Sequence, residues 1–221
     1  MSLFLTGTDT GVGKTYTAAA LLRLLRASGM RCVGFKPICC GDREDAELLL
    51  AASSDGVTID EVNPLWLKTP AAPLPAAAAE NVQIEPERLL DALRALQQRF
   101  DFVVVEGVGG WLVPIKHDYF VSDLAVAMQL PAVVVALNRL GCLNHTLLTV
   151  RSVTASGLQC VGVAWNDRNA EEDAPPASNH EVLSSLLEVP LLPGLTPEMA
   201  KLPPEWREVV SASVLTPVSR V

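Results

Sequence analysis

The sharpest chemical signal in the chain is the run Gly7-Thr8-Asp9-Thr10-Gly11-Val12-Gly13-Lys14-Thr15. It follows the short apolar stretch Ser2–Thr6 and precedes a segment in which Ala18, Leu21, Leu22 and Leu25 share one helical face. In such a strand-to-helix turn, glycines let backbone N–H groups turn inward toward phosphate oxygens, and the helix N-terminus adds a favourable dipole. Lys14 is placed to reach β- and γ-phosphates, and Thr15 to offer a hydroxyl to Mg²⁺. Five residues separate Gly7 from Gly13, so the first glycine lies one residue earlier than in the common G-x4-G-K-T spacing. The strand and helix on either side argue against a turn that binds nothing.

Weaker signals gather around this one. Glu106 closes the apolar run Phe102–Val105 and is followed by Gly107-Val108-Gly109-Gly110. A carboxylate at the carboxyl end of a sheet strand faces the crevice where ligands bind, and there it can hold Mg²⁺ directly or through water. Taken alone, it reads as well as a surface glutamate before a loop. Lys36, followed by Pro37, comes after the apolar run Cys32–Phe35, so it projects from the same edge as the glycine-rich loop. A second cation there would stabilise charge building up during phosphoryl transfer, whereas an isolated lysine at a strand end is usually just solvated. Asp45, near the start of the next helix, either complements the helix dipole or serves as a second metal carboxylate. Asn166-Asp167, after a later strand, is a base reader or a turn former. Asn138-Arg139-Leu140-Gly141 lacks the acid that a guanine-reading N-K-x-D motif needs at its fourth position. His117, His145 and His180 show no metal spacing, and no G-x-S-x-G elbow is present.

The elements that must position these residues alternate. Strands are expected at 2–6, 32–35, 101–106, 132–137 and 160–164, and helices after Gly13, at about 44–52, after Pro86, at about 144–155 and at about 181–188. That alternation predicts an α/β fold with a mostly parallel central sheet and helices on both faces. Residues 56–85, rich in Pro and Ala, read as a long irregular connection, of a kind that is often functional. One domain over 1–206 is expected, with 207–221 as a tail of uncertain structure. The 221 residues are 49% hydrophobic, enough for a substantial core, and the net charge of −8 comes with no basic cluster, which excludes a general nucleic-acid binder. Five cysteines without a CxxC pair read as reduced thiols. With neither a signal-peptide pattern nor an apolar run long enough to span a bilayer, the expectation is a cytoplasmic protein that does not enter membranes.

Taken together, G-T-D-T-G-V-G-K-T, then G-F-K-P-I at 34–38, V-V-E-G-V-G-G-W at 104–111, N-R-L-G-C-L-N-H at 138–145 and W-N-D at 165–167 resemble the dethiobiotin synthetase family. The motifs occur in family order and span about three quarters of the chain. The resemblance implies a P-loop NTPase-like fold and an ATP- and Mg²⁺-dependent ligase that closes a cyclic urea on 7,8-diaminononanoate with CO₂. It implies Lys14 and Lys36 at the transferring phosphoryl group with Thr10 beside it, and Thr15, Asp45 and Glu106 around the metal. Nucleotide contacts would come from Gly11, Val12, Gly13, Tyr16, Gly107, Val108 and Gly109. Asn166 would read adenine, with Asp167 and Pro193-Gly194-Leu195 nearby. Asp45 is chosen among the acids of 41–45 because Ala46 and Leu48 follow it in a family-like helix. Lys36 and Cys40 would face the substrate, whose carboxylate would be held by Gly141-Cys142-Leu143-Asn144 at a helix start, across a homodimer interface. Gly11 stands where some members carry Glu, and Cys40 where a hydroxyl residue is common.

Overall fold

The computed structural model describes residues 1–167, 178–196 and 198–213. The chain begins β1 (Ser2–Gly7), α1 (Lys14–Ala27), β2 (Cys32–Phe35), β3 (Ile38–Cys40) and α2 (Glu44–Ala52). It continues through α3 (Ile59–Val62), β4 (Leu65–Leu67), α4 (Pro73–Glu80), α5 (Pro86–Gln97), β5 (Phe102–Glu106), β6 (Pro114–Lys116), β7 (Tyr119–Phe120) and α6 (Val121–Met128). The last elements are β8 (Ala132–Leu137), α7 (Cys142–Ala155), β9 (Cys160–Asn166), α8 (Ser178–Leu186), β10 (Leu191–Leu192) and α9 (Pro204–Ala212).

Six strands form one sheet in the order β10-β9-β8-β1-β5-β2, and every pairing in it is parallel. The valine runs 103–105 and 133–135 are buried residue after residue, without the in–out alternation of a sheet that is wet on one face. Both faces of the sheet must therefore be covered, which is the environment that parallel strands need. Helix α1 supplies part of that cover with Ala18, Leu21, Leu22 and Leu25, as its spacing predicts. It ends at Ser28, where Gly29 takes a left-handed φ of 90°.

The connection at 56–85 is more ordered than its composition suggests. It contains α3, β4 and α4, and β4 pairs with β3 in a small parallel ribbon through Ile38↔Leu65 and Cys40↔Leu67. Proline misleads here because Pro73 sits at the first turn of α4, where its missing N–H costs nothing, while Ala76 and Ala77 bury the inner face. Thr58 opens α3 with a reciprocal capping box to Glu61.

Helix α9 runs through the boundary at 206/207 that separates the expected domain from its tail. Trp206 is fully buried, its Nε1 donates to the Pro193 carbonyl at 2.8 Å, and Val209 and Val210 are buried beside it. Residues 214–221 lie outside the described residues. Replacing Trp206 with Ala should cost roughly 3–5 kcal/mol of unfolding free energy, read by urea denaturation. A loss below about 1 kcal/mol would mean that α9 contributes little to the core.

Candidate active site

The sheet order brings three chemical segments to one edge. Strand β1 lies between β5 and β8, and β2 flanks β5 on its other side. Leu5 is in register with Glu106, and Phe35 with Val105, so the glycine-rich loop, Glu106 and Lys36 all emerge at the carboxyl end of adjacent parallel strands. Helix α2 adds Asp45 from its first turn. Lys36 Nζ donates to Glu106 Oε1 at 2.6 Å and to Asp45 Oδ2 at 2.8 Å, with the Gly107 carbonyl at 3.4 Å. Thr15 Oγ1 is 2.7 Å from both Asp45 Oδ1 and Glu106 Oε1. With one proton, that hydroxyl serves one of the two at a time. These groups line a cleft of about 640 Å³.

The two lysines are charged to different degrees. Burial is the largest influence on each. It pulls Lys14 down to about 8, because Glu106 only partly offsets it and Lys36 repels. For Lys36, Glu106 and Asp45 together outweigh burial and hold the ammonium above the ordinary lysine range. Burial would raise Asp45, but Lys36 and Thr15 keep it below the usual carboxylate range. Lys14 Nζ donates to the Asp9 carbonyl at 2.9 Å. Burial raises the thiols of Cys39 and Cys40 to about 11, so both are neutral near pH 7.

The donor set at Thr15, Asp45 and Glu106 consists of oxygen atoms only, as a hard cation such as Mg²⁺ requires. Glu106 Oε2 is buried with no hydrogen-bond partner, an arrangement that a cation would relieve. Among the described residues no three His, Cys, Asp or Glu side chains are placed to hold a metal ion by themselves, so water and phosphate oxygens would have to complete the shell.

Most of the expected site residues come together here. Thr10, Gly11, Gly13, Thr15 and Tyr16 line the cleft from the loop side, Val108 and Gly109 from the loop after β5, and Cys40 from β3. Val12 is buried beneath the loop instead. Gly107 does not line the cleft, although its carbonyl lies 3.4 Å from Lys36 Nζ. Gly13 has φ 95°, and a Cβ there would lie 2.2 Å from Asn166 Nδ2, so only glycine fits. Asn166 in turn donates through Nδ2 to the Val12 carbonyl at 2.9 Å and braces the loop.

A second cleft of about 470 Å³ is lined by Trp165, Asn166, Asp167, Gly194 and Leu195, and Tyr16 borders both clefts. Asp167 Oδ1 accepts from Asn138 Nδ2 and Trp165 Nε1, each at 2.9 Å. Pro193 lies behind this cleft and receives Trp206. Gly141, Cys142, Leu143 and Asn144 start α7 and line neither cleft. Their loop is fastened to the first loop by Arg139, whose Nη2 donates to Asp9 Oδ2 at 2.7 Å.

Sequence reasoning missed the far wall of the main cleft, made by Cys39, Asp42, Glu44, Leu48 and the turn 70–73 with Val113. Proline at the first turn of α4 was the available signal for that wall.

Because charged Lys14 is buried at a cost, Lys14→Met should stabilise the ligand-free protein at about pH 7. Between about 8 and 10.5 the unfolded chain binds more protons at this lysine than the folded one, so wild-type stability rises with pH there. The advantage of the variant should therefore shrink by roughly 2–3 kcal/mol between about pH 7 and 10 in urea denaturation. A difference that stays flat with pH would contradict this.

Comparison with known proteins agrees with the geometry. A family described as AAA domain matches residues 1–205. The ATP-dependent dethiobiotin synthetase of Akkermansia muciniphila is 40% identical over 191 residues, covering 86% of this chain and 90% of its own. The enzyme of the same name from Aromatoleum aromaticum is 41% identical over 223 residues, covering 97% and 96%. Among solved structures, the septum site-determining protein MinD from Pyrococcus horikoshii, complexed with Mg-ADP, aligns with a TM-score of 0.56 at 18% identity. That alignment covers 86% of this chain and 79% of MinD, and it shows a shared P-loop fold.

Proposed function

The chain belongs to the ATP-dependent dethiobiotin synthetase family, and from that premise we propose that it closes the cyclic urea of dethiobiotin on 7,8-diaminononanoate, using CO₂ and MgATP. The observation that carries the reading is a single cluster: Lys36 and Thr15 meet Glu106 and Asp45 in the cleft onto which the glycine-rich loop opens.

The chemistry asks for what this cluster offers. One amine of the diamine adds to CO₂ and loses a proton, giving a carbamate. A carbamate oxygen is a poor leaving group, so it attacks the γ-phosphorus of ATP, forming a carbamic–phosphoric anhydride and releasing ADP. The neighbouring amine then attacks the carbamate carbon. A C–N bond closes the ring, phosphate departs, and the proton of that amine goes with it. Well-oriented ring closures of this kind reach effective molarities of ~10⁵–10⁸ M, so no protein nucleophile is needed.

The residues serve charge and position instead. Backbone N–H groups of the loop at Gly11–Gly13, together with Lys14, neutralise the phosphates, with Thr10 beside the transferring group. Lys36 meets the carbamate and the γ-phosphoryl oxygens as charge builds. Thr15, Asp45 and Glu106 hold Mg²⁺, which when bound supplies further charge neutralisation on the phosphates. Cys40 offers a neutral wall to the diamine. The second cleft, with Asn166, Asp167, Gly194 and Leu195, takes the nucleotide base, and Tyr16 stands where base end and phosphate end adjoin. The start of α7 at Gly141–Asn144 holds the substrate carboxylate of a second copy in a homodimer. Leu140, 90% exposed just before that helix, and Leu148, 58% exposed midway along it, support such a surface. The five free cysteines fit a reducing compartment such as the cytoplasm.

Incubating the protein with diamine, bicarbonate and MgATP should yield ADP, phosphate and a product heavier by one CO unit and lighter by two hydrogens, read by mass spectrometry. ATP turnover indifferent to diamine and bicarbonate would sink the assignment and point to a nucleotide switch. Lys36→Ala should lower kcat by at least roughly 100-fold while leaving the Kd for MgATP nearly unchanged in calorimetry. Lost nucleotide binding at unchanged kcat would contradict the role given to Lys36.

A further inference from the structure

Asn63 follows α3, in the segment that the chemistry above leaves unused, and it is wholly buried. Its Nδ2 donates to the Lys36 carbonyl at 2.8 Å and to the Leu65 carbonyl at 3.0 Å. Its Oδ1 accepts from Arg43 Nε at 2.9 Å, and its own carbonyl accepts from Arg43 Nη2 at 2.7 Å. Its N–H donates to the Ile59 carbonyl, and the preceding Val62 carbonyl accepts the N–H of Lys36 at 2.8 Å. Residues 62 and 63 therefore grip the backbone of Lys36 on both sides.

The same amide reaches the other half of the cluster. Arg43 stands at the start of α2, two residues before Asp45, and its guanidinium lies 5.3 Å above the Trp66 ring. Trp66 in turn donates from Nε1 to the Gly41 carbonyl at 2.9 Å. The amide has two donors aimed at two carbonyls and one acceptor aimed at a guanidinium. Aspartate would set a carboxylate against both carbonyls, and leucine would take from the Lys36 carbonyl, the Leu65 carbonyl and Arg43 Nε the hydrogen bonds this amide makes.

We propose that Asn63 is a positioning residue for phosphoryl transfer, fixing the backbone of Lys36 and, through Arg43, the first turn of α2, so that Lys36 Nζ meets Asp45 and Glu106 at one point. What Lys36 does rests on the reading above; where it is held rests on these contacts.

Two measurements test this on the full chain. In protein carrying lysine labelled with ¹⁵N at Nζ, the buried, hydrogen-bonded Lys36 ammonium should give a slowly exchanging ¹H–¹⁵N signal. Asn63→Ala should abolish or markedly shift it. The same variant should lower kcat roughly 10- to 100-fold while KM for MgATP changes less than about threefold. Arg43→Lys keeps the charge but loses the planar fork, and should give a smaller loss in kcat with the same split. Should Asn63→Ala fail to fold, Arg43→Lys carries the test alone. An unchanged Lys36 signal with kcat within about twofold of wild type, even if the melting temperature falls, would overturn the proposal. So would a rise in KM at constant kcat. If the wild-type protein makes no cyclic urea, the functional reading falls, and the Lys36 signal still decides where the lysine is held.

Discussion

Lys36 and Glu106 form an ion pair 2.6 Å long whose two side chains are 3% and 0% exposed. Taking two charges out of water costs several kcal/mol for each ion, and such a pair often stabilises a fold less than apolar residues of equal volume would. The pair sits at the carboxyl edge of a sheet whose strands are mostly apolar, so its value lies in what it presents to the cleft. It also dictates architecture. Removing Lys36 would leave the Glu106 carboxylate buried without its counter-charge, at roughly 3–5 kcal/mol, whereas Lys36 would keep Asp45 if Glu106 were lost. Strand β2 must therefore lie beside β5 with their carboxyl ends level, and it does, through Phe35↔Val105.

Around that pair the protein holds two buried ammonium groups in opposite conditions. Lys14 touches a neutral carbonyl and is easily discharged, while Lys36 touches carboxylates and is not. One is a charge that a phosphate can recruit, and the other a charge fixed before any ligand arrives. A parallel sheet makes this arrangement cheap to build, because all its strands end their carbonyl side on one edge and the loops there face the same crevice.

That rule also explains what could be read from the residues alone. Glycine spacing places the first loop, an apolar run ending in Glu106 places the carboxylate, and Lys36 before Pro37 places the second cation, each through its position at a strand end. The fold class and most long elements follow from periodicity for the same reason. Asn63 illustrates the opposite case. Nothing in V-N-P-L-W announces that its amide will meet Lys36 and Arg43, because those contacts depend on three separate segments converging. Strands β3 and β4, three residues each, are stabilised by pairing with each other rather than by a local pattern. Helix α9 has Trp206, Val209 and Val210 at i, i+3 and i+4, but that period lasts little more than one turn, too short to announce a helix by itself.

Tyr16 borders both clefts from the first turn of α1, one residue after Thr15. Any change at that ring is felt in two places at once, so natural drift and redesign alike are hemmed in there. Thr196 and Glu198 border the second cleft alone. Those two side chains therefore shape the second chamber and form no part of the wall of the one that holds the lysines.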